Sequence, residues 1–592
     1  MTTFAGVFPL TPSQGIPASL KDAMSSNVSR SPKGIGTWTT CDTPRIFITK
    51  WDSNAFNQPA WLTSDDGCIS ALAGDPILLS DDNRINRQQQ LTRLSSPSRA
   101  ALAETLAQCR GSFAFAHFSA PHDELRLATD AVGLRSVYYA LHDGLLIFAT
   151  ALRMLEAIPE LCKDLSELGM AELCMFSFPL ADRTPYDKIK ILRESQMLCA
   201  THSGIVLNQY KKRALPVASH DKPQTAAAAL HTEFKRAVEL RAGTDDRVYS
   251  FLSGGMDSRA ILATLVESGR YVEALNFSPD NSQDRLYAQL LAAQVADTCR
   301  LHCRHSGGSY PNFSLLAHAA KQRLEREVTI DVSRPQMIWS GDGGSVGLGH
   351  VYMNEQMALL KSAHSADALT KEFFKFNRLA LATGVFRSGA ADRLPKSLFD
   401  SVRSEIDRYS TDDAGRAVFL FLLFNDQRRH LFKHFESIDQ HGLELLTPFY
   451  DAAFLSIVAT VPFEWCILHK LYASFFELLP AFARLTPWQT YPGHVPCPVN
   501  TTATASYQWE KPKSLMQLGL GERARLSLAL VRATDSQARG PILSGPKIWL
   551  AATLHLMGLR DCGHVLPVLQ NYQRHSMTAR ARSELLRLET HV

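Results

Sequence analysis

The chain has 592 residues, 62 of them basic and 58 acidic, with a formal net charge of +4. That length exceeds one ordinary domain and predicts two or three, each able to bury a core. Scattered basic residues without an aromatic-studded basic tract argue against a nucleic-acid partner. The 11 cysteines are odd in number and include no Cys-x-x-Cys pair. The N-terminus lacks a signal-like basic and apolar pattern, and the longest apolar run, Ala417–Phe424, is too short to span a bilayer. The expectation is a cytoplasmic protein with reduced thiols and no membrane contact.

Short β-favouring runs dominate the first part of the chain: Arg45–Thr49, Ile69–Leu72 and Ile77–Leu79. Then come Gly111–Phe118, Leu125–Asp130, Val132–Tyr139 and Leu145–Thr150, separated by Asp/Gly turns, which reads as an antiparallel sandwich. Lys211–Thr225 is polar, has two prolines and no periodicity, and reads as a linker. Ala226–Leu240 carries a helical apolar stripe.

The helix leads to the most informative stretch. An apolar run, Val248–Leu252, ends in Ser253-Gly254-Gly255-Met256-Asp257-Ser258, and a helical pattern resumes with Ala260, Ile261, Leu262 and Leu265. Strand, glycine turn and helix N-terminus make an anion site, above all for phosphate. The loop lacks the Lys-Ser/Thr ending of a Walker motif and is not a Gly-x-Gly-x-x-Gly turn. Val272–Phe277 and Ser282–Ala296 continue a strand–helix alternation, which predicts a parallel sheet with ligands at the strands' carboxyl ends. Leu252 and Phe277 fall at such ends, where they either line an adenine pocket or simply fill core.

Cys299, His302, Cys303 and His305 have no second paired ligand set, so buried thiols and surface histidines are expected rather than zinc. Ser340-Gly341-Asp342-Gly343-Gly344-Ser345 opens a segment with five glycines in nine positions from Gly341, around one carboxylate. It reads as a ligand-approach loop, with a structural turn as the plainer alternative. Glu444 and Asp451 are assigned structural duty, and Lys470 lies on a helical stretch, Ile467–Tyr472. Pro487–Pro498 is a proline- and aromatic-rich loop, read as a lid, a peptide clamp or packing. Leu518–Leu530 and Ile548–Leu559 are helical, and the basic end with Arg574, Arg580, Arg582 and Arg587 reads as a solvated helix face.

The Ser253–Ser258 loop resembles the pyrophosphate loop of the asparagine-synthetase-like enzymes, which split ATP between its α and β phosphates. The blocks Gly111–Ala114, Asp130–Gly133 and Val137–Tyr139 resemble that family's glutaminase domain. The resemblance implies an α+β, Ntn-type αββα glutaminase-like sandwich over residues 1–212. An α/β PP-loop ATP pyrophosphatase domain with a parallel sheet follows over 222–515, then a helical extension over 516–592. It implies ATP at Leu252, Ser253, Gly254, Gly255, Asp257, Ser258, Phe277, Ser340 and Gly341, and Mg²⁺ at Asp257 and Asp342, with Lys470 and Asp342 catalytic.

The family's glutaminase uses an N-terminal Cys; here position 2 is Thr, Thr3 replaces its glycine, and Ala73-Gly74 replaces its Asn-Gly. The first domain therefore reads as inactive. The Gly-Asp-Gly-Gly version of the second motif resembles the lasso-peptide macrocyclases most. That implies a precursor peptide as substrate, a leader peptidase as partner, and a macrolactam formed with release of AMP and pyrophosphate. A β-lactam synthetase-like or ammonia-dependent asparagine synthetase-like ligase and a non-catalytic peptide-binding scaffold are the alternatives.

Overall fold

The computed structural model describes residues 2–31, 36–58, 60–211, 222–304, 336–360, 366–409, 413–426, 431, 434–500, 505–507, 514–533 and 542–576. Most of the linker, His305, and Arg580, Arg582 and Arg587 lie outside them.

Thr2–Pro9 forms a strand buried along its whole length. Phe4 and Phe8 point to one face, Ala5 and Val7 to the other, as a two-residue period requires. The sequence reading passed over this strand, yet it lies inside a six-stranded antiparallel sheet. In spatial order that sheet runs Ile189–Ile191, Tyr138–His142, Leu145–Ala149, Thr2–Pro9, Phe47–Asp52 and Thr37–Asp42. A second sheet runs Gly204–Gln209, Gln196–Thr201, Glu124–Thr129, Phe113–Ser119, Ile69–Gly74 and Trp61–Thr63. Phe4, Phe8 and Ile48 from the first sheet share one core with Ala71, Ala116 and Leu127 from the second, so the two pack face to face. Helix Ala18–Asn27 covers one outer face through Leu20 and Met24. Helices Arg87–Leu94 and Arg99–Gln108 cover the other through Leu91, Leu94, Leu102 and Leu106. The layers are αββα.

Two expected strands are shortened for local reasons. Ile77 takes a left-handed φ of +50°, leaving only Leu79–Ser80 extended. The run from Val132 begins as a strand only at Tyr138 because four backbone N–H groups, from Val132, Gly133, Leu134 and Arg135, wrap the buried Asp130 carboxylate.

In the second part all five strands are parallel, in the spatial order Cys299–Arg304, Tyr271–Phe277, Arg247–Phe251, Met337–Trp339 and Glu444–Leu446. The chain moves outward from Arg247–Phe251 and then returns to its other side. A topological switch point therefore opens between that strand and Met337–Trp339, where α/β sheets bind ligands. Helix Asp257–Glu267 packs against Arg247–Phe251 and Tyr271–Phe277, helix Gln283–Ala293 against Tyr271–Phe277 and Cys299–Arg304, and Pro223–Ala242 against helix Asp257–Glu267. The run from Ala417 is helical to Phe421 and continues as a π-helical turn over Leu422–Asp426. No single helix among the described residues is long and apolar enough to cross a membrane, and all eleven cysteines are free thiols.

Buried ion pairs tie the two parts together. Asp451, fully buried, caps helix Ala452–Val458 and accepts hydrogen bonds from Arg110 of the first part at 2.8 and 3.2 Å and from Arg241 at 2.8 Å. Glu444 pairs with Arg135, so both carboxylates have the structural duty expected of them. Asp439 takes Arg30 at 2.8 Å and Arg153 at 3.2 Å, and Arg193 takes Glu405 at 2.6 Å. The C-terminal helix Leu566–Ser576 also returns to the first part, where Asn571 donates to the Leu173 carbonyl at 3.3 Å.

Replacing Asp451 by Ala removes a helix cap and the carboxylate shared by two buried guanidinium groups, leaving Arg110 with Glu233 and Arg241 with the Ala237 carbonyl. The urea midpoint should fall by the equivalent of about 3–5 kcal/mol, and an unchanged midpoint would refute the structural assignment. Asp439 gives a pH dependence. Burial alone would raise its carboxyl, but Arg153 and Arg30 outweigh burial and hold it well below the usual carboxylate range. Its contribution is complete above the unfolded value of about 4 and is lost as pH falls below it. Stability measured against pH should decline less steeply below pH ~4 in Asp439→Asn than in the parent.

Candidate functional site

The Ser253–Ser258 loop sits at the switch point, between strand Arg247–Phe251 and helix Asp257–Glu267. Its turn is held by hydroxyls: Ser258 Oγ accepts from the Ser253 N–H at 2.9 Å and lies 2.9 Å from Ser253 Oγ, which accepts from the Gly255 N–H at 3.2 Å. The Gly254 N–H donates to Asp284 at 2.9 Å. Asp284 was missed from sequence, since it belongs to no motif and lies one helix away. The first N–H groups of helix Asp257–Glu267 have no intrahelical acceptor and face the same end of the sheet.

Asp257 is the centre of the site. One carboxylate oxygen accepts from Tyr472 at 2.8 Å and from Ser345 Oγ at 2.9 Å, and the other from the Ser345 N–H at 3.1 Å. Burial pushes its carboxyl up to about 6, the charge of Asp342 adds to the rise, and the Tyr472 and Ser345 hydrogen bonds oppose it. The Gly-rich stretch thus lies directly against the loop. A Cβ at Gly344 would fall 2.6 Å from the Asp257 carboxylate. Gly343 has a left-handed φ of +92°, and its missing side chain leaves room for the Tyr450 ring. Gly344–Gly349 is a short helix rather than an open turn. Ser340 donates from Oγ to the Asp342 carboxylate.

The other expected residues divide. Leu252 is 2 % exposed and its side chain belongs to the core, while Phe277 is half-buried at its strand's carboxyl end against Phe251, ring centroids 6.3 Å apart. Gly341 lies against Asp257 and Ser258. Lys470 is placed differently from the rest: its ammonium is 48 % exposed and pairs with Glu355 at 3.2 Å. A role at the reacting centre requires it to leave that pair. The helix expected over Ile467–Tyr472 is broken just before it, because Leu468 and His469 take left-handed φ of +59° and +64°. Consecutive non-glycine residues there store backbone strain, and the kink delivers Tyr472 to Asp257. Burial holds the His469 imidazole down to about 3, with His494 and His350 acting in the same direction.

The proline-rich loop is anchored to this site. The Gln489 N–H donates to the Gly254 carbonyl at 2.9 Å, and the buried Arg259 guanidinium donates to the carbonyls of Ala483 at 3.0 Å and Pro487 at 2.7 Å. Trp488 packs on Phe476. Of the cysteine–histidine run, Cys299 is buried as expected, but His302 is buried as well rather than on the surface, because its Nε2 pairs with Glu273 at 2.7 Å within the sheet. Among the described residues no three His, Cys, Asp or Glu side chains converge as a ready-made metal cage. Mg²⁺ needs only one or two carboxylates beside phosphate oxygens. Asp257, whose carboxyl the nearby charge of Asp342 helps to raise, and Asp342 fit that requirement.

Two families match the chain. The glutamine amidotransferase domain family matches residues 99–211 and the asparagine synthase family residues 229–304, a segment that contains the Ser253–Ser258 loop and ends before the Gly-rich stretch. Over these segments the chain is similar to asparagine synthetases. It is 23 % identical over 380 residues to a putative glutamine-hydrolyzing asparagine synthetase 1 of Methanocaldococcus jannaschii, covering 61 % of this chain and 58 % of that protein. It is 27 % identical over 198 residues to the glutamine-hydrolyzing asparagine synthetase 3 of Bacillus subtilis, covering 32 % and 31 %. The chain therefore spans 58 % and 31 % of these two relatives. A glutamine phosphoribosylpyrophosphate amidotransferase from B. subtilis, solved with ADP and GMP, is 12 % identical, covers 58 % of this chain and 77 % of its own, and has a TM-score of 0.22, too low to bear on the fold.

The Gly344→Ala substitution tests the packing of the two loops. Crowding the Asp257 carboxylate should lower the urea midpoint by the equivalent of about 1–3 kcal/mol. An unchanged midpoint would refute the close packing of the Gly-rich stretch on the loop.

Proposed function

We propose that the chain is an ATP-dependent, AMP-forming amide ligase that cyclises a precursor peptide as the lasso-peptide macrocyclases do. The observation that carries the reading is the meeting of two motifs at the switch point: the Ser253–Ser258 loop and the Asp342-bearing stretch, joined by the Ser345–Asp257 hydrogen bonds. A loop of this form with free helix N–H donors suits a leaving pyrophosphate.

In the reaction a side-chain carboxylate of an Asp or Glu attacks the α-phosphorus of ATP, giving an acyl-adenylate and pyrophosphate. The peptide's N-terminal amine then attacks the acyl carbon, losing a proton as AMP leaves and the amide forms. Ser253, Gly254, Gly255 and Ser258 hold the phosphates, Ser340 and Gly341 close the opposite wall, and Phe277 offers an aromatic edge to the base. Asp257 and Asp342 would hold Mg²⁺, which neutralises phosphate charge. Lys470, released from Glu355, is the candidate cation for charge developing on the acyl centre. Holding the amine against the acyl carbon is proximity catalysis.

The first domain is proposed not to supply ammonia. Thr2, where the family has its nucleophile, is 1 % exposed. The seam between the two parts is closed by Arg135–Glu444 and Arg110–Asp451 and holds a void of about 10 Å³, room for one water. A leader peptidase acting upstream, which frees the core peptide's amine, belongs to this reading. The likeness to asparagine synthetases favours a second one: a ligase taking free aspartate and ammonia, or a β-lactam synthetase-like relative. A non-catalytic scaffold gives no use for Ser253, Asp257 and Ser258 together.

Incubation with ATP, Mg²⁺ and candidate linear peptides should yield AMP, pyrophosphate and a product one water lighter. ADP instead of AMP would overturn adenylation, and turnover of aspartate without any peptide would overturn cyclisation. Asp257→Ala should lower the rate at least ~100-fold with the fold retained by circular dichroism.

A further inference from the structure

The two parts of the chain line a second cavity of about 160 Å³. The first domain contributes Phe176 and Phe178, and the second Tyr352, Phe373 and Phe421, with the polar Asn425 and Asp426 also in the lining. The walls are well packed: Phe373 meets Phe421 edge-on with ring centroids 5.5 Å apart. The π-helical turn Leu422–Asp426 that shapes one side is latched to the first domain, because Asn425 Oδ1 accepts from the Ala181 N–H at 2.8 Å. π-turns of this kind recur at functional sites.

The Gly-rich stretch leads to the cavity along the chain: Tyr352, which lines it, lies three residues beyond the helix Gly344–Gly349.

We propose that this cavity is a substrate side-chain pocket that takes one uncharged aromatic side chain of the peptide. The inference rests on the ligase reading above and specifies what its substrate must carry. An apolar cavity of about 150 Å³ accepts a benzene-sized ring, so 160 Å³ suits one phenyl group. The pocket also gives the first domain a task that needs no glutamine chemistry: Phe176 and Phe178 complete a pocket that the second domain alone leaves open.

The test uses the full chain and two probes, N-acetyl-L-phenylalaninamide and N-acetylglycinamide, with binding followed by ligand-observed NMR. The phenylalanine probe should bind and the glycine probe should not. Leu379→Trp, which fills the cavity from a lining position, should weaken the phenylalanine probe at least ~10-fold, the loss expected from excluding one ring. Phe178→Ala should shift preference toward N-acetyl-L-tryptophanamide. ATP affinity with Mg²⁺, measured on the same Leu379→Trp sample, reports whether the nucleotide site is intact. With that affinity retained, equal binding of both probes, or phenylalanine-probe binding that Leu379→Trp leaves unaltered, overturns the pocket and leaves the ligase reading standing. Selective, Trp-sensitive binding in a protein that never forms AMP with any peptide upholds the pocket and overturns the ligase reading.

Discussion

A buried carboxylate must find donors, and Asp257 finds them in segments 88 and 215 residues further along the chain. That one requirement pulls the Gly-rich stretch and the Lys470–Phe476 helix onto the first turn after Ser253-Gly254-Gly255. The absent side chain at Gly344 lets Ser345 reach the carboxylate, and the left-handed pair Leu468–His469 turns the chain so that Tyr472 does. The strain at the kink and the burial of the acid are offset by the hydrogen bonds they permit. The donors oppose the rise in Asp257's protonation point, and Asp342 adds to it. The result is two carboxylates, Asp257 and Asp342, close enough for the charge of the second to raise the protonation point of the first.

The two parts of the chain are joined by a different device. Arg110, Arg135, Arg153 and Arg193 of the first part reach Asp451, Glu444, Asp439 and Glu405 of the second, in largely desolvated pairs. Such pairs add little net stability compared with apolar contacts, but breaking any one is costly, so they fix how the parts dock. Ser340 donates its N–H to the Leu446 carbonyl, so the strand carrying Glu444 borders the strand that leads into the Asp342 loop. The docking of the first domain is thereby coupled to the geometry of the site, whether or not that domain does chemistry of its own.

Legibility followed range. Ser253–Ser258, the helix from Ser282, and the sandwich strands around Gly111–Asp130 were readable because turn chemistry and periodicity act over a few residues. The strand Thr2–Pro9 was passed over because its two faces are both apolar and it alternates without polar contrast. The Val132 run looked extended by composition, but the unscreened carboxylate of Asp130 wins its N–H groups. Asp284, Tyr472 and Tyr450 carried no local signal, since each acts only through a partner from another segment. The resemblance makes Lys470 catalytic, yet its side chain answers to Glu355, a partner from another segment.

By itself the sequence determined the local chemistry: a glycine turn between a β run and a helix, a glycine-dense stretch around one acid, and a Thr at position 2. These follow from steric freedom, hydrogen-bonding capacity and charge, which residues carry wherever they are placed. Tertiary structure alone decided that Asp257 and Asp342 share one field, that Ser345 serves Asp257, and that Phe176 and Phe178 of one domain line a cavity with residues of the other. Those outcomes depend on which strands become neighbours, and strand order is settled by burial of the whole core rather than by any single segment.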